Sequence, residues 1–250
     1  MDIQQFDIPR YLAALPLFQE MTPAELQRLA AGCRLRRYAR GDDVFRVGTP
    51  CKEFHVTVMG QVKLFAISSA GQEKVIELVG PGMSFAEALM FTDKPYIINA
   101  QALADTLLLS VGKAAVVQEI ESDPRFAMRM LAGISRRLHG LVHDVQTYAL
   151  HNGMQRVIGY LLRSLPENAE DAAALALASA GRAAPHPTPR KEAVALQVSL
   201  PVSKATIASR LSITPEYFSR VLHELEAAGL IRIDKREIHI PDVERLANYQ

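Results

Sequence analysis

Apolar and polar positions change their spacing twice along the 250 residues, and each change marks a different kind of element. Near the start, Thr22 and Pro23 read as the cap and first residue of a helix whose apolar face is Leu26, Leu29 and Ala30. From Leu35 to about Leu109 the spacing becomes two. Val44–Val47, Phe54–Val58, Val62–Phe65 and Lys74–Leu78 read as strands, separated by turn residues at Gly41-Asp42, Gly48, Gly60, Ala70-Gly71, Gly80 and Pro81-Gly82. One antiparallel β-roll or jelly roll of about 80 residues is expected. His55 alternates with Phe54, Val56 and Val58, so it is expected to point at solvent or at a satisfied polar neighbour.

Helical spacing returns near Ser122. Asp123 can cap the free amides of a first turn that Pro124 opens, and Leu131, Ile134, Leu138, Leu141, Val145 and Tyr148 follow at steps of three, four, three, four and three. That is a heptad seam. It is narrow, with Arg136, Arg137 and Asp144 on its flanks, which suggests pairing with another helix; the plainer alternative is packing on its own domain. Gly153 is expected to break the chain before a further helix, 154–165, that ends ahead of Pro166. Residues 167–196 are compositionally odd. Eight of the fourteen residues from Asp171 to Ala184 are alanine, and Pro185, Pro187 and Pro189 follow, so this reads as a surface insertion beside a domain boundary.

The last fifty residues carry the most information. Ser203 opens a short helix with Ile207, Ala208 and Leu211 on one side; Ser212-Ile213 forms a turn, and Thr214-Pro215 caps and starts a second helix. Two helices so closely joined form a helix-turn-helix. The second buries Phe218, Val221, Leu222 and Leu225, stops at Gly229, and leads into a hairpin of Leu230–Ile233 and Glu237–Ile240 that completes a winged unit. Opposite the apolar face, Glu216, Ser219 and Arg220 project together near the helix start. In a major groove, arginine can take two acceptors of guanine and glutamate can accept from the cytosine amino group, while Lys204 and helix amides grip phosphates. The competing explanation is a Glu216–Arg220 surface ion pair worth a few tenths of a kcal/mol, about 0.3.

Composition refines this picture only a little. A hydrophobic content of 49% is that of a globular protein, and a net charge of +1 neither supports nor excludes nucleic-acid binding in bulk. Two cysteines, Cys33 and Cys51, are too few for a disulfide framework or a four-cysteine iron–sulfur site. His55 is the only histidine before residue 139, which starves a metal-dependent jelly-roll enzyme of ligands, so no enzymatic role is expected. An acidic N-terminus and the lack of 18 consecutive apolar residues lead to the expectation of a soluble, cytoplasmic protein with no membrane partner. The expected class is α+β, with a β-roll sensor domain at 1–120, a dimerisation helix at 121–150 and a winged helix-turn-helix at 151–250.

On GQEKVIELVGPGMSFAEALMF, the seam and the winged unit, the chain resembles the catabolite-activator and fumarate–nitrate-reduction regulator (Crp/Fnr) family over nearly its whole length. The resemblance implies a homodimeric transcription regulator that works with RNA polymerase and whose effector binds in the β-roll. It implies a DNA-contacting set of Ser203, Lys204, Thr214, Pro215, Glu216, Tyr217, Ser219 and Arg220, and an effector pocket involving Phe85, Glu87, Ile98 and Asn99. TPEYFSR is similar to the fumarate–nitrate-reduction reader, implying a palindrome of TTGA-type half-sites; Pro215 stands where the catabolite activator has a further reading arginine. Phe85-Ala86-Glu87 looks like the start of the cyclic-nucleotide cassette, but Tyr96–Ala100 lacks its phosphate-clasping arginine, so cyclic AMP is not expected. FAEALMFTDKPY with PEYFSRVLHEL looks most like the dissimilatory nitrate respiration regulator branch, implying nitric oxide sensing through haem and activation of denitrification genes. His139 and His143, at i and i+4, are the candidate haem ligands; His151 and His186 are weaker ones. The alternatives that remain are a different small-molecule or redox effector, and a ligand-binding roll that uses its winged helix for protein contacts.

Overall fold

A computed structural model of the chain describes residues 6–15, 18, 21–165 and 196–249, with backbone only at 148 and 149. The side chain of Tyr148, the segment 167–195 and His186 therefore lie outside the described residues. The chain divides into two compact units, Met1–Val142 and His143–Gln250.

In the first unit the alternating segments pair into two antiparallel four-stranded sheets. The strands are β1 (Cys33–Tyr38), β2 (Asp43–Phe45), β3 (Glu53–Met59), β4 (Val62–Ile67), β5 (Glu73–Val79), β6 (Ser84–Phe85), β7 (Asn99–Ala102) and β8 (Thr106–Gly112). Their orders are β1-β8-β3-β6 and β2-β7-β4-β5. The β3–β4 turn needs Gly60, at φ +85°, because a Cβ there would lie 2.5–2.7 Å from Thr106 and Asp105 atoms. Both faces of β3 are covered. Phe54 and Val56 pack into one apolar cluster with Leu12, Leu26, Leu29 and Phe126, while Phe45, Leu64, Phe85, Tyr96 and Leu108 form a second. His55 consequently does not reach solvent: it is 2% exposed, because a strand buried on two faces has no wet side for an alternating polar residue.

Helices α1 (Ile8–Ala13) and α2 (Pro23–Ala31) precede the sheets, and α2 starts with a full capping box between Thr22 and Glu25 behind Pro23. After β8 come α3 (Lys113–Ser122) and α4 (Pro124–Leu150), split at the extended residue Asp123. On α4, Phe126 and Met130 are buried, whereas Leu131 (55% exposed), Leu138 (60%) and Val145 (65%) stay open with Met128, Leu141 and Val142; Ile134 is half-buried. Leu131, Leu138, Leu141 and Val145 thus leave much of their surface open on the single chain.

The second unit holds α5 (Gly153–Arg163), β9 (Leu196–Ser199), α6 (Lys204–Arg210), α7 (Pro215–Ala227), β10 (Arg232–Asp234), β11 (Glu237–Ile240) and α8 (Val243–Ala247). Gly153 does not break the chain; it is the first residue of α5, and the break falls at Asn152, which caps that helix reciprocally with Gln155. The wing has three strands in the order β10-β11-β9, its third supplied by residues beyond the alanine-rich segment. Gly229 takes φ +67° behind α7, the left-handed exit expected of a glycine there.

Candidate nucleic-acid interface and effector chamber

Side-chain caps set the two helices of the reader. Ser203 Oγ accepts from Thr206 N (3.2 Å) at the start of α6, and Thr214 Oγ1 accepts from Tyr217 N (3.2 Å) at the start of α7, with Pro215 in the first turn. The turn between them reverses at Ser212, φ +56°. It is held from outside: Arg156 on α5 donates Nη1 to Leu211 O (2.9 Å) and Ser212 O (3.3 Å), and Nε to His151 O (3.2 Å). Nothing in the local sequence points to this role of Arg156, since the two turn carbonyls lie 55 and 56 residues away.

Phe218, Val221, Leu222 and Leu225 are buried under α7, which leaves Glu216 and Arg220 exposed and Ser219 half-buried on its outer side. No ion pair joins Glu216 to Arg220 among the described residues. The Arg220 guanidinium instead lies 4.8 Å from the centroid of the Tyr217 ring. Lys204, half-buried, opens α6, and Pro215 is exposed with no side-chain donor to offer. All eight expected contact residues therefore belong to the starts of α6 and α7 or to their caps. The outer side of α7 carries one acid, one hydroxyl and one guanidinium, the groups that read base edges in a major groove.

The expected effector residues diverge. Phe85 is fully buried in the roll, and Ile98 packs partly against the same cluster. Asn99 is turned to another task, its Oδ1 accepting from Val47 N at 3.0 Å. Ala86 stands at φ +71° and starts a short 3-10 helix, Glu87–Phe91. Glu87 is held by Ser84 Oγ and by Arg137 of α4 (3.3 Å). The same guanidinium donates to Glu77 Oε2 (2.5 Å) and Ser84 O (2.6 Å). Two carboxylates, Glu77 and Glu87, thus share a single arginine.

Inside the roll, His55 Nδ1 lies 2.9 Å from Ser110 Oγ, and Phe45 and Phe85 flank its ring at 5.8 and 5.1 Å between centroids. Burial, aided by the charge of Arg36, holds its pKa down to about 3, so the ring is neutral at ordinary pH. The unfolded chain takes up a proton near pH 6.5 that folded His55 refuses. This group therefore costs no stability above pH 6.5, and stability falls by up to about 1.4 kcal/mol per unit as the pH drops from there toward 3. Urea midpoints at pH 7, 5.5 and 4.5 will show a shallower acid loss in His55→Gln than in the natural chain; equal slopes would remove His55 from the account.

The candidate haem ligands His139 and His143 are both exposed on α4. An open depression of about 660 Å³ lies elsewhere, lined by Cys51, Lys52, Asp93, Lys113 and Val117 among others, without a histidine. No group of three histidine, cysteine or acidic side chains able to hold a metal occurs among the described residues. Cys33 is buried, with its thiol pushed up to about 12 by desolvation, and Cys51 is half-buried; neither is a poised thiolate.

A two-sheet roll, a long helix with an open apolar seam and a capped winged reader together define a DNA-binding transcription regulator carrying a sensor domain. Residues 35–123 match the cyclic nucleotide-binding domain family and residues 155–249 the Crp-like helix-turn-helix domain family. The CRP-like cAMP-activated global transcriptional regulator of Mycobacterium tuberculosis is 22% identical, covering 94% of this chain and 96% of that one. DNR from Pseudomonas aeruginosa is 32% identical over 98% of this chain and 100% of that one, with a TM-score of 0.49. FixK2 from Bradyrhizobium japonicum has the same fold, with a TM-score of 0.69 at 19% identity over 86% of this chain and 96% of that one. The chain belongs to the Crp/Fnr family of regulators. Among the described residues, no helix is long and apolar enough to cross a membrane.

Proposed function

We propose that this protein is a cytoplasmic homodimer that reads a palindrome of TTGA-type half-sites and activates genes of anaerobic nitrate respiration and denitrification through RNA polymerase. The observation that carries the reading is the outer side of α7, where Glu216 and Arg220 are exposed together and unpaired with each other above a fully buried Phe218. Two-fold pairing of the α4 seam would set the half-sites about one helical turn apart. Cyclic AMP is not the effector in this reading, because Tyr96–Ala100 offers no arginine to clasp its phosphate. The text FAEALMFTDKPY with PEYFSRVLHEL supports nitric oxide as the signal. His139 and His143 on α4 are the candidate ligands of its haem.

Fluorescence anisotropy on a TTGA palindrome and a scrambled duplex, from 50 to 300 mM salt, tests the reading. Specific binding should exceed scrambled binding by at least about 10³-fold, and both should weaken as salt displaces released counterions. Equal affinity for the two duplexes would overturn the DNA reading. Cyclic AMP should leave the palindrome curve unmoved. Nitric oxide added to haem-reconstituted protein should tighten it, and an unmoved curve there would overturn the effector reading alone.

A further inference from the structure

Arg220 is exposed, yet its guanidinium is not left to water alone. Its central carbon lies 4.8 Å from the centroid of Tyr217, one turn earlier on α7. That ring is itself backed by another element. A Cβ built on Gly153, the first residue of α5, would fall 2.5 Å from Tyr217 Cε1, 2.8 Å from Cζ and 2.9 Å from Oη. Tyr217 therefore lies against bare backbone, and a larger residue at position 153 would push the ring away. Asn152 caps α5 beside this contact, and Arg156 on the same helix fixes the α6–α7 turn. One short helix thus holds both the turn and the ring.

An exposed arginine carries large rotamer entropy, which forming a bidentate contact must freeze. An aromatic face under the guanidinium restricts it beforehand. We propose that Tyr217 is a positioning residue for base specificity: it sets Arg220 in advance for guanine, and Gly153 is the small residue that allows the ring to lie there. This inference rests on the reading of Arg220 as a guanine contact. It predicts an effect on discrimination between bases.

Full-length protein should be tested on the TTGA palindrome, on the same duplex with 7-deazaguanine at each half-site guanine, and on a scrambled duplex. The modified base lacks the N7 acceptor. In the natural chain the modification should weaken binding strongly. In Tyr217→Ala that discrimination should shrink about threefold to fivefold per half-site, or roughly tenfold to twenty-five-fold on the palindrome. Tyr217→Phe, which keeps the ring, should restore discrimination, and Gly153→Ala should lower it. Arg220→Ala on the same duplexes separates the two claims. If it leaves discrimination intact, the guanine reading fails; if it abolishes discrimination while Tyr217→Ala, folded by thermal melting, does not change it, only the positioning role fails.

Discussion

Arg220→Ala will keep the fold and its salt-dependent attraction to DNA but will lose preference for the TTGA palindrome. The side chain is exposed, it forms no ion pair with Glu216, and its close neighbour is the Tyr217 ring, so truncation leaves no buried partner unsatisfied. A surface change of this kind costs stability within about 0.5 kcal/mol. A bidentate arginine–guanine contact discriminates by about 1–3 kcal/mol, and a two-fold complex makes it twice, so specific affinity should fall by roughly 30-fold to above 10⁴-fold. Lys204→Ala gives the contrasting result. Removing this phosphate grip from α6 should weaken all duplexes alike and lower the salt slope by about one per protomer. The two variants, measured by anisotropy across a salt series, separate a base reader from a backbone grip. An Arg220→Ala protein that still prefers TTGA would end the assignment.

The reader is visible in the sequence because short-range chemistry builds it. Ser203 and Thr214 cap within three residues, Pro215 sits beside its cap, and Phe218, Val221, Leu222 and Leu225 recur at helical spacing. The same holds for Thr22-Pro23 and for Pro124 at the head of α4. The expected effector region is built differently. Arg137 meets Glu77 and Glu87 across 60 and 50 residues, and Asn99 meets Val47 across 52, separations at which no local spacing betrays a contact. Of the two places expected for His55, the polar neighbour (Ser110) and not solvent is the one it takes, for a related reason. Alternation reports which face of a strand a residue takes, but only the packed fold tells that both faces of β3 are covered. Helix α3 carries no start signal because Gly112 at its head offers no side-chain cap, and β9 is hidden because its pairing partner, β11, lies some forty residues on. The role of Gly153 as the floor for Tyr217 likewise depends on two helices meeting, whereas a glycine in sequence reads first as a break.

Leu131→Glu combined with Leu138→Glu should convert the protein into a folded monomer that binds a single half-site as before but binds the palindrome weakly. Both leucines are more than half exposed on the single chain, while Phe126 and Met130 anchor a different side of α4, so the charges would enter water in the monomer and leave its core untouched. In a paired seam, the same positions one heptad apart face their symmetry mates, and four carboxylates would replace four apolar side chains. Burying a leucine is worth about 1.5–3 kcal/mol, so removing four of them costs roughly 6–12 kcal/mol before any repulsion between the glutamates is counted. That exceeds what separates a nanomolar from a micromolar dimer, about 4 kcal/mol. Sedimentation velocity at micromolar concentration should therefore show a monomer. On DNA, the palindrome loses the advantage of linked half-sites while one winged unit keeps its own grip, so single half-site affinity should stay within about threefold. If the double variant still sedimented as a dimer, subunit pairing would have to run through another surface, and the open apolar stripe of α4 would need a different occupant.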